Sequence, residues 1–247
     1  MSEDSDSNRV PAGDAVPAMT LVRAPRFVSA AVGLLIFIGV VAALARYLLP
    51  HEFHMTVARP LYRDFADGQL PVEAAHPLPE ALHRLGGAIY LLLGAMQFMP
   101  GLRAQRPMLH RVSGRVFIGL GLLAAASAVY MSFAFPYSST EMAPTVVFAT
   151  VLSYSALRAL AHIRRREVQA HREWMTRAYA VGLGVSTVRI LGVGASYATG
   201  ISVRDLIGPS FWAGFTLTLV GAELWIRAQR APRAASAAEV TASAASR

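Results

Sequence analysis

Six apolar segments constrain this chain more than any other feature. They lie at residues 27–49, 82–101, 112–135, 142–162, 174–197 and 206–227. Each is near the ~20 residues that an α-helix needs to cross a hydrocarbon layer ~30 Å thick. Backbone N–H and C=O groups in lipid must be satisfied within the segment, which a helix does. The expected fold is therefore all-α, a polytopic transmembrane bundle of six spans. Composition agrees: 54% of residues are hydrophobic and mean hydropathy is +0.42. Only 15% of residues are charged, against ~25% in soluble domains.

The polar, proline-containing stretch 1–25 reads as a disordered N-terminus. Residues 26–227 form the expected transmembrane domain, with 50–81 as a loop outside the cytoplasm. The Ala/Ser-rich stretch 228–247 reads as a disordered tail. Ala43-Leu44-Ala45 resembles a signal-peptidase site, but the first segment is long and its N-terminal flank is acidic, so an uncleaved helix is expected.

Orientation follows from the arginines. The chain carries a net charge of +8, and all 23 of its basic residues are arginine. They crowd into alternate connections: Arg103, Arg106, Arg111 and Arg115 in one, Arg158, Arg164, Arg165, Arg166, Arg172 and Arg177 in another. Arg23 and Arg26 precede the first segment, and Arg227, Arg230 and Arg233 follow the last. The intervening loops are acidic or nearly neutral. Positive residues stay on the cytoplasmic side, so both termini are expected there, in a bacterial cytoplasmic (inner) membrane. The basic charge is thereby assigned to topology and lipid contact. Arg164-Arg165-Arg166 is too short and too close to the membrane for a nucleic-acid site. The absence of cysteine excludes disulfides, thiolate metal sites and iron–sulfur clusters.

Three segments open on a His-Arg pair. His83-Arg84 is followed by Gly87, Tyr90 and Gly94; His110-Arg111 is followed by Gly114, Phe117 and Gly121. His171-Arg172 is followed by Ala178 and Gly182. Offsets of four, seven and eleven fall on one helical face, so each histidine shares a stripe with small residues. Gln97 extends the first stripe, and Arg189 extends the third about 27 Å beyond His171. Small residues permit close approach of a helix or a flat ligand, and ionisable groups in lipid usually face the bundle interior.

The expected topology puts His110 and His171 near the inner face and His83 near the outer one. His110 and His171 are the candidate axial ligands of a b-type haem iron, with Gly114 and Gly182 giving the ring room and Arg111 or Arg172 meeting its propionates. His83, Gln97 and Arg189 are the remaining candidates for a haem or quinone site. Arg189 needs a partner, and Gln97, Tyr90, Glu141, a ligand anion or a quinone carbonyl could serve. Each feature also has a packing reading: interfacial histidines, helix-contact glycines and topology-setting arginines. Trp174 and Trp225 suit an aromatic belt, and Glu223 is placed to meet an inner arginine.

The run from His83 through Gln97, Arg103 and Pro107 to His110-Arg111-Val112-Ser113-Gly114-Arg115 resembles a bacterial family of predicted membrane proteins, domain of unknown function 2306. His171-Arg172-Glu173-Trp174-Met175-Thr176-Arg177 and Thr187-Val188-Arg189 share that resemblance. It implies a membrane protein and groups His83, His110, His171 and Arg189, without implying an activity. Leu109-His110-Arg111-Val112-Ser113-Gly114 is also similar to the quinone-site segment of the succinate dehydrogenase cytochrome b subunit. That family has Ser three residues before the histidine, where this chain has Pro107.

The functional expectation is a haem b- or quinone-binding component of membrane electron transfer, partnered by the lipid bilayer and by quinone or a redox protein, and not by nucleic acid. A small-molecule or ion transporter and a non-catalytic membrane assembly protein are the alternatives.

Overall fold

The computed structural model describes residues 24–49 and 70–245. The expected N-terminal disorder and most of the expected 50–81 loop lie outside the described residues. Among the described residues the only regular structure is helical: α1 (Arg26–Leu48), α2 (Leu70–Ala75), α3 (Pro77–Gln97), α4 (Pro100–Gln105), α5 (Pro107–Ala134), α6 (Met142–Arg164), α7 (Val168–Thr199) and α8 (Val203–Ala245).

Proline sets three of the starts. It occupies the first turn of α3, α4 and α5, where a missing N–H costs nothing and φ is already helical. This is why α3 and α5 begin five residues before the apolar runs they contain. The helices α6 and α7 are joined by a tight turn in which Arg166 takes a positive φ of 63°. In that turn His162 Nδ1–H donates to the Glu167 carboxylate. This bond holds the Glu167 carboxyl below its ordinary range. Helix α7 stops at Gly200, whose φ of 73° is the left-handed conformation that glycine adopts at helix ends.

Four helices, α1, α5, α6 and α7, are long and apolar enough to cross a membrane. Helices α3 and α8 cover the second and sixth expected spans. Both are long enough, but they carry more polar groups: Glu80, His83, Arg84 and Gln97 in α3, and Arg204, Asp205 and Glu223 in α8. Helix α8 also runs on to Ala245. The stretch from Ala228, expected as a disordered tail, is thus helical, consistent with alanine's high helix propensity.

Helix α7 is central. It packs against α1, α3, α6 and α8, while α5 lies against α3 and α6. Its apolar window is 50% buried, against 11% for that of α1. The core is aromatic, built from Tyr90, Phe117, Phe148, Tyr179 and Phe215. Large apolar side chains also cover the outside, among them Phe27, Phe37, Phe133, Leu217 and Leu224. Contiguous apolar surface of this kind is what a lipid-facing bundle presents. Helix α1 seats closely against the rest. The Ser186 hydroxyl donates to the Leu35 carbonyl at 2.6 Å, and a Cβ at Gly39 would lie 2.6 Å from Leu91 Cδ1.

Candidate functional site

The three His-Arg helix openings distribute into two poles. His83 Nδ1 lies 3.1 Å from the Ala124 carbonyl in the second half of α5. His110, at the start of α5, is fourteen residues earlier, about 21 Å along the axis. His83 therefore marks one pole, and His110 and His171 mark the other.

His83 and His171 are held alike. His171 Nδ1 lies 2.9 Å from the Ala159 carbonyl of α6. A carbonyl only accepts, so in both rings Nδ1–H donates and Nε2 is left as the acceptor or ligand atom. A backbone carbonyl that fixes one ring nitrogen in this way is the usual support of a ligating histidine. The same bond also fastens one helix to another. His110 differs: its Nδ1 is buried and has no hydrogen-bond partner among the described residues. His171 lies close enough for its charge to act on the His110 ring, and His162 stands in the same relation to His171. His162 Nε2 is likewise buried without a partner. This pole thus has His110, His162 and His171 of α5, α6 and α7 in pairwise electrostatic range. Among the described residues no three His, Asp or Glu groups are disposed to hold a metal ion.

Gln97 belongs to this pole as well. Its Nε2 donates to Ser113 Oγ at 2.7 Å, and Ser113 Oγ donates to the Leu109 carbonyl at 2.6 Å. Arg111 is exposed and bonds back to the Pro107 carbonyl of its own helix. Arg172 is half-buried beside His171.

The outer pole is more ionic than the histidine pattern suggested. The charges of Arg84 and Arg189 act on His83. Glu80 is 5% exposed, pairs with Arg84 Nε at 2.8 Å and accepts from the Tyr47 hydroxyl of α1. Arg189 Nη1 donates to the Val185 carbonyl at 3.0 Å. Of the expected partners of Arg189, Gln97 bonds to Ser113 and Tyr90 to Ala178; Glu141 also accepts from the Tyr137 amide. The Glu80–Arg84 pair had a sequence signal, an acid four residues before an arginine at a helix start. Tyr47 had none.

Between the poles the glycine stripes are filled. The Tyr90 ring lies against both Gly121 and Gly182, where an added Cβ would approach ring carbons to 2.7 and 2.3 Å. The Tyr179 ring lies against Gly94, at 2.1 Å from such a Cβ. Each tyrosine crosses to the other's helix. Tyr90 donates to the Ala178 carbonyl at 2.7 Å, and Tyr179 donates to the Leu91 carbonyl at 2.8 Å. Phe117, fully buried, stacks on Tyr90 with centroids 4.3 Å apart. Gly114 faces Gln97 Oε1, 3.1 Å from an added Cβ. Gly114 and Gly182, expected to give a porphyrin room, therefore do not supply it. They admit side chains of α3.

At the His171 end of the bundle, two bidentate pairs tie α8 to α7. Arg177 meets Glu223 at 2.5 and 3.0 Å, and Arg230 meets Glu173, with its Nε at 2.8 Å. Glu223 had been placed near an inner arginine; Arg177 is that residue. The guanidinium carbons of Arg177 and Arg158 lie 4.6 and 5.6 Å from the Trp174 ring centroid.

A family model described as "Predicted membrane protein (DUF2306)" matches residues 80–226. That range begins at Glu80, before the first His-Arg opening, and ends at Ile226 in α8. No curated protein and no solved structure matches the chain.

Proposed function

Because the chain belongs to the DUF2306 family of predicted membrane proteins, we propose that it is a six-span protein of a bacterial cytoplasmic membrane, with both termini inside, that binds a quinone headgroup at its inner pole. The arginine distribution supports the orientation: Arg103, Arg106, Arg164, Arg165 and Arg166 share one side with Arg227 and Arg230. The less apolar α3 and α8 join the spans by packing, α3 against α5 and α7 and α8 against α7.

One observation carries the quinone reading. His110 and His171 converge from separate helices, and the buried His110 Nδ1 has no partner while the His171 ring is fixed through Ala159. A quinone headgroup is a small ring with two carbonyl oxygens that accept hydrogen bonds. Imidazole donates such bonds and exchanges protons near neutral pH. Haem b is disfavoured because Tyr90 and Gln97 occupy the glycine positions a macrocycle would use. A transport path through the middle is disfavoured by the Tyr90–Phe117–Tyr179 packing there.

The test is solvent extraction of the detergent-purified protein, with an absorption spectrum of the oxidised and reduced sample. Quinone is expected in the wild-type extract and is expected to be lost from His110→Ala and His171→Ala variants of unchanged helix content. A Soret band would replace quinone by haem. An extract without quinone, from protein that also takes up none when it is added, would end the electron-transfer reading in favour of an assembly role.

A further inference from the structure

Helix α8 carries a stripe whose outer side is open: Thr216, Val220, Leu224 and Arg227 are exposed, while Leu219 packs partly against the core and Glu223 meets Arg177. Thr216, Leu219, Val220, Glu223, Leu224 and Arg227 line a shallow groove of about 330 Å³. Val220 and Leu224 are 50% and 60% exposed. The stripe is apolar at one end and ionic at the other. Glu223, inside it, is neutralised by the bidentate Arg177. Arg227, at its end, is exposed and makes no ion pair among the described residues. The charge left at that end is positive.

We propose that this stripe is a binding site for an anionic phospholipid of the inner leaflet, with an acyl chain along Thr216, Leu219, Val220 and Leu224 and the phosphate on Arg227. The inference rests on the membrane orientation proposed above and not on quinone binding.

Length, charge and composition each support it. From Thr216 to Arg227 is eleven residues, about 16 Å along a helix, close to half of the ~30 Å hydrocarbon layer. A cation at the end of a one-leaflet apolar stripe stands at headgroup depth. Near it Arg158 of α6 lies over Trp174, beside Arg177 of α7, whose charge is taken up by Glu223. Tryptophan at that depth is the usual belt residue, and basic residues between helix ends on the cytoplasmic side bind anionic headgroups. Guanidinium also matches phosphate bidentately. A second copy of the chain is a poorer occupant. Helix contacts in lipid favour small residues, and this stripe offers Leu, Val and Leu.

The experiment is native mass spectrometry of the full chain, released from detergent containing equal amounts of phosphatidylglycerol and phosphatidylcholine. Wild type is expected to retain phosphatidylglycerol preferentially. Arg227→Gln is expected to lower that preference about fivefold, the effect of one basic residue near an anionic surface. Arg227→Lys should retain most of it, and Arg204→Gln, at the other end of α8, should leave it unchanged. Equal retention of the two lipids would overturn the proposal. So would an Arg227→Gln preference equal to wild type, or a lipid-free dimer as the dominant species. His110→Ala separates the two readings: it is expected to lose quinone and keep the lipid preference.

Discussion

Replacing Gly182 by alanine tests the central packing most directly. The new Cβ would sit 2.3 Å from Tyr90 Cε1, 3.1 Å from Cδ1 and 3.4 Å from Cζ. The nearest contact is about 1 Å too short for ordinary van der Waals packing. Tyr90 cannot easily yield. Its other edge lies against Gly121, its face stacks on Phe117, and its hydroxyl is tied to Ala178 on the same helix as Gly182. Overpacking of this kind costs about 1–3 kcal/mol. Alanine returns up to about 1 kcal/mol through helix propensity. With the full propensity gain the expected net loss is about 0–2 kcal/mol, and about 1–3 kcal/mol relative to a Gly→Ala change that meets nothing, read from denaturation in mixed detergent micelles followed by circular dichroism. Gly194→Ala is the matched control, since nothing lies within 4 Å of its added Cβ. A Tyr90→Leu background should remove the penalty, leaving Gly182→Ala neutral or stabilising. If Gly182→Ala and Gly194→Ala unfold alike in the wild-type background, the tyrosine does not occupy the glycine slot.

Two further outcomes follow from the same geometry. Tyr90→Phe and Tyr179→Phe each delete one bond between α3 and α7 while keeping the ring; each should cost about 0.6–1.7 kcal/mol in the same denaturation assay. Because the His162 bond lowers the Glu167 carboxyl, its contribution is present above the ordinary carboxylate range and is lost only as pH falls below it. Hydrogen exchange at the amides of residues 165–168, corrected for intrinsic rates, should rise in that more acidic window, and Glu167→Gln should abolish the pH dependence.

Much of this architecture was legible because apolar length is a local property. The apolar runs fall mostly within α1, α3, α5, α6, α7 and α8, although 82–101 outlasts α3, which ends at Gln97 before α4 starts at Pro100, and Pro77 and Pro107 explain why two helices start earlier than their runs. The stripes were legible too, since a spacing of four, seven and eleven fixes a helical face whatever lies opposite. What lay opposite was not legible. Gly182 reads as room for a flat ring, and a flat ring does lie there, but it belongs to Tyr90, ninety-two residues away. Gln97 shares a stripe with His83, yet its length along α3 carries it to the His110 end, where Ser113 accepts its bond. Tyr47 and Tyr179 gave no pattern on their own helices, because their roles are set by the carboxylate and the carbonyl they reach across to.

The length of α8 has a mechanical consequence. Beyond Arg230, which pairs with Glu173, the helix continues for fifteen residues to Ala245, a rod of about 22 Å at 1.5 Å per residue. A rod fixed to the bundle at Glu223 and Arg230 magnifies whatever happens at its base. A change in tilt of about 20°, the ordinary inclination of a membrane helix, would sweep its far end through roughly 8 Å. Small rearrangements among the ion pairs at its base would thus be read out at its far end as a displacement large enough for another molecule to sense.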